Sequence, residues 1–292
     1  AELIKKIGNK KFNLIEFHNR PLVFNILKKK IDSKFIIYFH NDPLSMKGSK
    51  TSNERINLLN LCSKIVLNSE WSKNRFLSKL DEIYIKSSKL IVIRQSADRQ
   101  TVNLKNKEKI ITFVGKLNKA KGYDVFGSAI IDILDKNKDW KAIVIGDEER
   151  EKIKFDHERL NILGFKNHDE VIKIFKKTSI SVVCSRWEEP FGRTSLESAS
   201  CGCAVVITNR GGLPETITNG IILNRLSKKN VFAAVSKLIK NKRYRSQLQN
   251  LALQNFNLTH QNASAQIDFY RNEILKQDGE IKKIPKKLKI LH

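Results

Sequence analysis

The sequence predicts an α/β protein with two Rossmann-like series of strands and helices in tandem, each built on a parallel sheet. Short apolar runs rich in β-branched and aromatic residues recur along the chain, separated by helical stretches of roughly 10–15 residues. A strand that returns parallel to its predecessor needs a crossover of about a dozen residues, so this spacing favours parallel sheets over hairpins. The length, 292 residues, is enough for two domains of ordinary size.

In the first series Leu14–Phe17, Phe35–Phe39, Ile65–Leu67 and Leu90–Ile93 read as strands, with helical stretches at Leu22–Ile31, Ser52–Ser63 and Ser72–Leu80. Ser96–Lys109 is polar and without periodicity. It reads as a linker that closes an N-terminal domain of residues 1–103. The second series, residues 104–262, carries strands at Ile110–Val114, Ala142–Ile145, Asn161–Leu163, Ile180–Val183, Ala204–Ile207 and Ile221–Leu223. Its helices fall at Val125–Leu134, Asp169–Lys177, Thr194–Ser200 and Lys229–Lys240. Residues 263–292 supply a C-terminal helix and basic tail, expected to pack back on the first domain.

Composition narrows the class. The apolar fraction of 40% is that of a folded globular protein. No apolar run approaches the ~20 residues needed to span a bilayer. Ala1-Glu2-Leu3-Ile4-Lys5-Lys6 lacks the shape of a signal peptide. Cys62, Cys184, Cys201 and Cys203 are too scattered for a disulfide framework or a zinc site, so reduced thiols in a cytoplasmic protein are expected. The excess of 55 Lys and Arg over 30 Asp and Glu gives +25, a field that favours polyanions: nucleic acid, anionic lipid headgroups or phosphorylated glycans. Lysines spread over helices read equally well as solvated faces. The tail Lys282-Lys283-Ile284-Pro285-Lys286-Lys287-Leu288-Lys289 suits an anionic membrane surface or an unstructured terminus.

The densest chemistry lies in Trp187-Glu188-Glu189-Pro190-Phe191-Gly192-Arg193-Thr194-Ser195-Leu196-Glu197, directly after a buried-type strand. Glu189 precedes proline and is held extended in the loop. Thr194 and Glu197 have the spacing of a capping box, which would start a helix at that point. Amides of Gly192 to Ser195 would then point outward at a partly positive helix terminus, a place for phosphate and sugar oxygens. The local pattern leaves open whether Glu197 only closes a cap and Glu189 is only a solvated loop acid. After the first strand of the second series, Gly115-Lys116-Leu117-Asn118-Lys119-Ala120-Lys121-Gly122 lets the chain turn tightly and aims two lysines at one place. In so basic a chain, two loop lysines alone are weak evidence.

Taken in order, these segments resemble the retaining nucleotide-sugar glycosyltransferases of family 4, which have the GT-B fold of two facing Rossmann-like domains. The resemblance rests on Gly115-Lys116 with Lys121-Gly122, on Glu189 and Glu197, and on Gly211-Gly212-Leu213-Pro214-Glu215. His18-Asn19-Arg20-Pro21, His40-Asn41-Asp42-Pro43 and Ser69-Glu70-Trp71 look like the lipopolysaccharide-core branch. The match runs to about Asn257, and the N-terminal domain looks truncated beside the family, whose members normally begin with a strand and Gly-rich loop, whereas this sequence starts in a helical pattern with only four strands ahead of the linker.

The resemblance implies roles. Lys116 and Lys121, with Gly115 and the amides of Gly192, Arg193 and Thr194, would hold the donor diphosphate. Lys116 stands where the family usually has Arg, losing the bidentate fork. Glu189 would bind the transferred sugar, Glu197 the ribose, and Phe191 would line the same pocket. Phe165 and Lys166 would lie at the nucleobase. His40 would face the sugar from across the cleft as the second catalytic group beside Glu189. A lone histidine at a strand end is otherwise more often a core residue. Breaking the sugar C1–O bond develops negative charge on the departing phosphate, which cations and a helix terminus can stabilise, so no metal or other cofactor is expected.

The expected partners are a nucleotide-diphosphate sugar, a lipopolysaccharide or related glycolipid acceptor, and an anionic membrane surface. A non-catalytic nucleotide-sugar binder is the alternative reading. A nucleic-acid binder ranks last, because no aromatic-and-basic recognition motif accompanies the charge.

Overall fold

The computed structural model describes residues 11–276, so the expected N-terminal helix and the basic tail at 282–289 lie outside the described residues. Contacts divide the chain into two units. The first holds described residues 11–67, 73–93 and 264–276, and the second holds Asn68–Ser72 and Arg94–Ala263.

In the first unit β1 (Leu14–His18), β2 (Lys34–Phe39), β3 (Lys64–Leu67) and β4 (Leu90–Val92) form a sheet in chain order, every pairing parallel. From Phe35 to Phe39 every residue of β2 is buried, which explains why this strand reads as a continuous apolar run rather than an alternating one. The connections carry α1 (Pro21–Leu27), α2 (Ser52–Leu61), α3 (Glu70–Leu77) and the short α4 (Glu82–Ile85). Proline opens α1, where its missing N–H is no loss. A capping box opens α2: the Thr51 hydroxyl accepts from the Glu54 N–H at 3.2 Å, and the Glu54 carboxylate accepts from the Thr51 N–H at 2.9 Å. Phe24 meets Phe17 and Phe35 edge-on, with ring centroids 5.5 and 5.4 Å apart. Each such buried ring contributes about 1.5–3 kcal/mol over exposure.

The second unit holds β5 (Glu108–Val114), α5 (Tyr123–Lys136), β6 (Lys141–Ile145), β7 (Leu160–Ile162), α6 (His168–Lys177), β8 (Thr178–Val183), α7 (Arg193–Ser200), β9 (Ala204–Thr208), β10 (Ile221–Leu223), α8 (Lys228–Lys240) and α9 (Lys242–Gln254). The sheet order is β10-β9-β8-β5-β6-β7, all parallel. From β5 the chain winds outward through β6 and β7, then returns to the other side of β5 and continues through β8, β9 and β10. The neighbours β5 and β8 therefore flank a topological switch point, and a crevice opens at the carboxyl ends of such strands. Helix α5 buries Tyr123, Phe126, Ala129, Ile130, Ile133 and Leu134, the 3–4-residue spacing of one apolar stripe.

Among the described residues, all ten strands coincide with the sequence-predicted runs to within two residues at either end. Helix α9 does not follow from the sequence pattern, because two of its buried positions are polar. Arg245 donates to the Leu238 carbonyl at 2.6 Å, and Gln249 donates to the Ser179 carbonyl at 3.1 Å. The linker at Ser96–Lys109 is also more structured than predicted: Ala97 bridges to Thr259, Leu104–Asn106 form a turn of 3₁₀ helix, and β5 already begins at Glu108.

From Ser264 onward α10 (His260–Lys276) belongs with the first unit. The Arg271 guanidinium grips both carboxylate oxygens of Glu16 at 2.8 and 2.5 Å, and the Tyr38 hydroxyl donates to the same carboxylate at 2.8 Å. Lys34 donates to the Ile274 carbonyl at 2.7 Å, and Lys64 pairs with Glu273 at 3.0 Å. No helix among the described residues is long and apolar enough to cross a membrane.

Candidate functional site

The two loops singled out from the sequence leave the carboxyl ends of β5 and β8. After β5, the Gly115 N–H still donates to the Ile145 carbonyl at 3.0 Å, and the chain then turns. The side-chain oxygen of Asn118 accepts from the Lys121 N–H at 3.0 Å and closes the turn. Gly122 opens α5 in the left-handed region (φ +74°), where a Cβ would lie 1.9 Å from the Cys184 carbonyl oxygen, so the two loops touch through a position that only glycine can fill. Lys116 is exposed, and its ammonium has no partner among the described residues. The Lys121 ammonium is paired with the Glu189 carboxylate.

Glu189 is held from several sides. The Ser185 hydroxyl donates to its carboxylate at 3.0 Å, and the Gly212 N–H donates to its carbonyl at 2.7 Å. Gly211 (φ +57°) lies so close that a Cβ there would sit 2.1 Å from the Glu189 carbonyl oxygen. The preceding Glu188 accepts from the Gly211 N–H at 2.5 Å and from Arg210 at 2.9 Å. The Pro190 carbonyl accepts from the Ser69 hydroxyl at 2.6 Å. The Glu215 carboxylate takes the N–H groups of Glu70 and Trp71 at 2.9 and 3.0 Å, and Arg94 at 3.1 Å. Within the second unit, the Gly211–Glu215 and Ser69–Trp71 motifs thus form one frame around the Glu189 loop. Ser185 and Glu188 were not singled out from the sequence; a serine four residues before the glutamate and a doubled glutamate are weak signals.

At the start of α7 the structure corrects the capping expectation. Gly192 (φ +122°) is the N-cap and Arg193 the first helical residue, so Thr194 lies inside the helix and cannot cap it. A glycine is needed here because a Cβ would meet Leu213 at 2.4 Å. Glu197, freed from a capping role, accepts from Arg193 at 2.9 and 3.2 Å and has His168 Nδ1 at 3.7 Å. Among the described residues, the N–H groups of Gly192, Arg193, Thr194 and Ser195 have no hydrogen-bond partner. Four open donors at a helix N-terminus, with Arg193 beside them, form a ready anion site.

Phe191 is a second correction. It is 1% exposed and packs with Ala97, Leu196 and Phe256, so its ring belongs to the core and only its backbone can reach a ligand. Phe165, by contrast, is 75% exposed in the loop after β7, beside Gly164 (φ +67°). Lys166 pairs with Glu170 at 3.3 Å. Burial pushes the Cys201 thiol up to about 12, and Cys201 and Cys203 are fully buried packing residues.

His40 belongs to the first unit, directly after β2. Its Nε2 lies 3.0 Å from His18 Nδ1, and the two rings stack with centroids 5.3 Å apart. Burial lowers both imidazole pKa values, and the His18 charge lowers that of His40 further. In the neutral state one ring donates its N–H to the lone pair of the other; two imidazolium rings could not share that distance.

The family model for glycosyl transferases group 1 matches residues 94–255. YtcC, a putative glycosyltransferase of Bacillus subtilis, is 25% identical over 254 residues, 76% of this chain but 62% of that protein. The chain thus spans less than two thirds of that relative's length. LpsB, a lipopolysaccharide core biosynthesis mannosyltransferase of Rhizobium meliloti, is 28% identical over 132 residues, 42% of this chain and 37% of that one. The crystal structure of Anabaena HepE in complex with UDP superposes with a TM-score of 0.75 at 17% identity, covering 94% of this chain and 81% of that one. The shared fold is GT-B, as the sequence predicted.

Proposed function

The chain belongs to the glycosyl transferases group 1 family, whose model covers more than half of it, and on that premise we propose that it transfers a hexosyl group from a nucleoside-diphosphate sugar to a glycan acceptor. The observation that carries this reading is the anion site at the switch point: four unpartnered amides opening α7, with Lys121 and the unpaired Lys116 on the neighbouring loop. The donor diphosphate would occupy it, and the amides and ammonium groups would take up the charge that develops on the leaving phosphate as the C1–O bond breaks. On this reading no metal is required.

Glu189, held through both its carbonyl and its carboxylate, would orient the hydroxyls of the transferred sugar rather than attack C1. Glu197 would accept from the ribose, with Arg193 moving from it toward phosphate. The exposed Phe165 would lie at the base. HepE has been solved with UDP and with UDP-glucose, which supports a nucleotide-sugar donor of this kind. We extend the proposal to retention at C1, as in family 4, with His40 as a second catalytic group beside Glu189. The acceptor proposed is a lipopolysaccharide core or related glycolipid met at an anionic membrane surface, a reading supported by the likeness to LpsB and by the +25 charge.

A panel of UDP-, GDP- and ADP-sugars read by thermal shift, followed by product analysis with lipopolysaccharide-core acceptors, tests it. A donor that raises Tm and a glycosylated product of unchanged anomeric configuration are expected. Stabilisation without transfer to any acceptor would make the chain a donor binder and overturn the catalytic reading.

A further inference from the structure

The segment after β6 touches the Gly115–Gly122 loop through Gly146, Asp147, Glu148 and Glu151. Gly146 (φ +133°) passes so near that a Cβ would lie 1.9 Å from the Gly115 carbonyl oxygen. The Asp147 carbonyl accepts from the Leu117 N–H at 3.2 Å, and the Glu151 carboxylate accepts from the Lys119 N–H at 2.9 Å. Between them the Glu148 side chain, 5% exposed, accepts from Asn118 Nδ2 at 3.0 Å.

The orientation of Asn118 follows from its neighbours. The Lys121 N–H can only donate and the Glu148 carboxylate can only accept, so the Asn118 oxygen must face Lys121 and its nitrogen must face Glu148. Glu148 is itself held by Arg150, through Nε at 2.9 Å, Nη2 at 3.2 Å and the Arg150 N–H at 3.2 Å. These bonds, the Arg150 side chain first, keep the Glu148 carboxyl down at about 2, so the acceptor stays ionised. A continuous chain results: Arg150, Glu148, Asn118, Lys121, Glu189.

We propose that Glu148 is a positioning residue for the donor diphosphate, fixing through Asn118 the backbone of Lys121 and so the ammonium that Lys121 presents. The inference rests on the donor reading above and deepens it. Glu148 touches no ligand itself. Without it the buried Asn118 nitrogen loses its acceptor, the side-chain amide is free to turn, and the bond that sets the Lys121 backbone goes with it.

Glu148→Ala and Glu148→Gln, compared with wild type, test this. The probes are the nucleoside diphosphate that wild type binds among UDP, GDP and ADP, and the matching free nucleoside, titrated by ligand-observed NMR. Glu148→Ala is expected to weaken the diphosphate about tenfold and leave the nucleoside within twofold, so that the same sample reports its own folding. Glu148→Gln, whose amide oxygen still accepts from Asn118, is expected to recover most of the loss. Equal loss for diphosphate and nucleoside, or unchanged diphosphate affinity in Glu148→Ala, overturns the inference alone. Wild type that binds none of the three diphosphates overturns the donor reading and takes this inference with it.

Discussion

Lys121 and Glu189 form an ion pair that joins the loop after β5 to the loop after β8, the two strands flanking the switch point. Their side chains are 35% and 12% exposed, and Glu189 also accepts from Ser185. A diphosphate arriving at α7 competes for the same ammonium, so donor entry would turn Lys121 toward phosphate and release Glu189 to the sugar hydroxyls. Lys121→Ala and Glu189→Ala are each expected to cut transfer by about 10²–10³-fold, the scale of losing one hydrogen-bonding group from the transition state. Circular dichroism should show an intact fold, since the Gly212 N–H and the Ser69 hydroxyl still hold the loop through the Glu189 and Pro190 carbonyls. Undiminished transfer in either variant would refute the assignment.

Gly211 is the backbone counterpart of that pair. Its φ of +57° and the 2.1 Å approach of a Cβ to the Glu189 carbonyl oxygen mean that Gly211→Ala must push the Glu189 loop away. The expected cost is about 2–4 kcal/mol from positive φ plus the displaced Gly212–Glu189 bond. Urea unfolding should show the lower midpoint, and donor affinity should fall with it. An Ala variant as stable as wild type would show that this loop yields freely.

The His18–His40 pair predicts a pH dependence. Both folded pKa values lie below the 6.5 of a free imidazole, so below pH 6.5 the unfolded chain binds more protons than the folded one. Stability should therefore fall as pH drops from 7.5 towards 5.5. His40→Gln, which removes one titrating ring and relieves the other of its like-charged neighbour, should flatten that slope. An unchanged slope in the variant would show that these rings do not set it.

Much of the fold is legible in the sequence because the inner strands are buried and therefore largely apolar, as β2 and β9 show. Helix α9 escaped because Arg245 and Gln249 occupy core-facing positions by donating to carbonyls, which a search for apolar periodicity misreads as exposure. The site was legible as two loops, Gly115–Gly122 and Glu189–Glu197, because glycine and charge cluster there. Its internal bonding was not. Thr194 and Glu197 have the spacing of a capping box, yet Gly192 takes the cap by adopting a φ of +122°, and a spacing rule carries no information about that dihedral. Glu148 lies 30 positions from Asn118, and nothing local marks the bond between them.

Phe191 offers the sharpest test of how the site is divided between ligand and core. Its ring, 1% exposed, packs on Leu196 and Phe256, so it supports α7 from beneath. Phe191→Leu nearly conserves apolar volume and should cost no more than about 1.5 kcal/mol, with donor KM within twofold of wild type. Phe191→Ala leaves a cavity and should cost about 3–5 kcal/mol, lowering Tm well before it alters donor specificity. A ring stacked on the sugar would behave in the opposite way: the leucine variant would keep its Tm and raise donor KM about tenfold. Measuring Tm and KM together on the two variants therefore separates a core phenylalanine from a ligand-binding one.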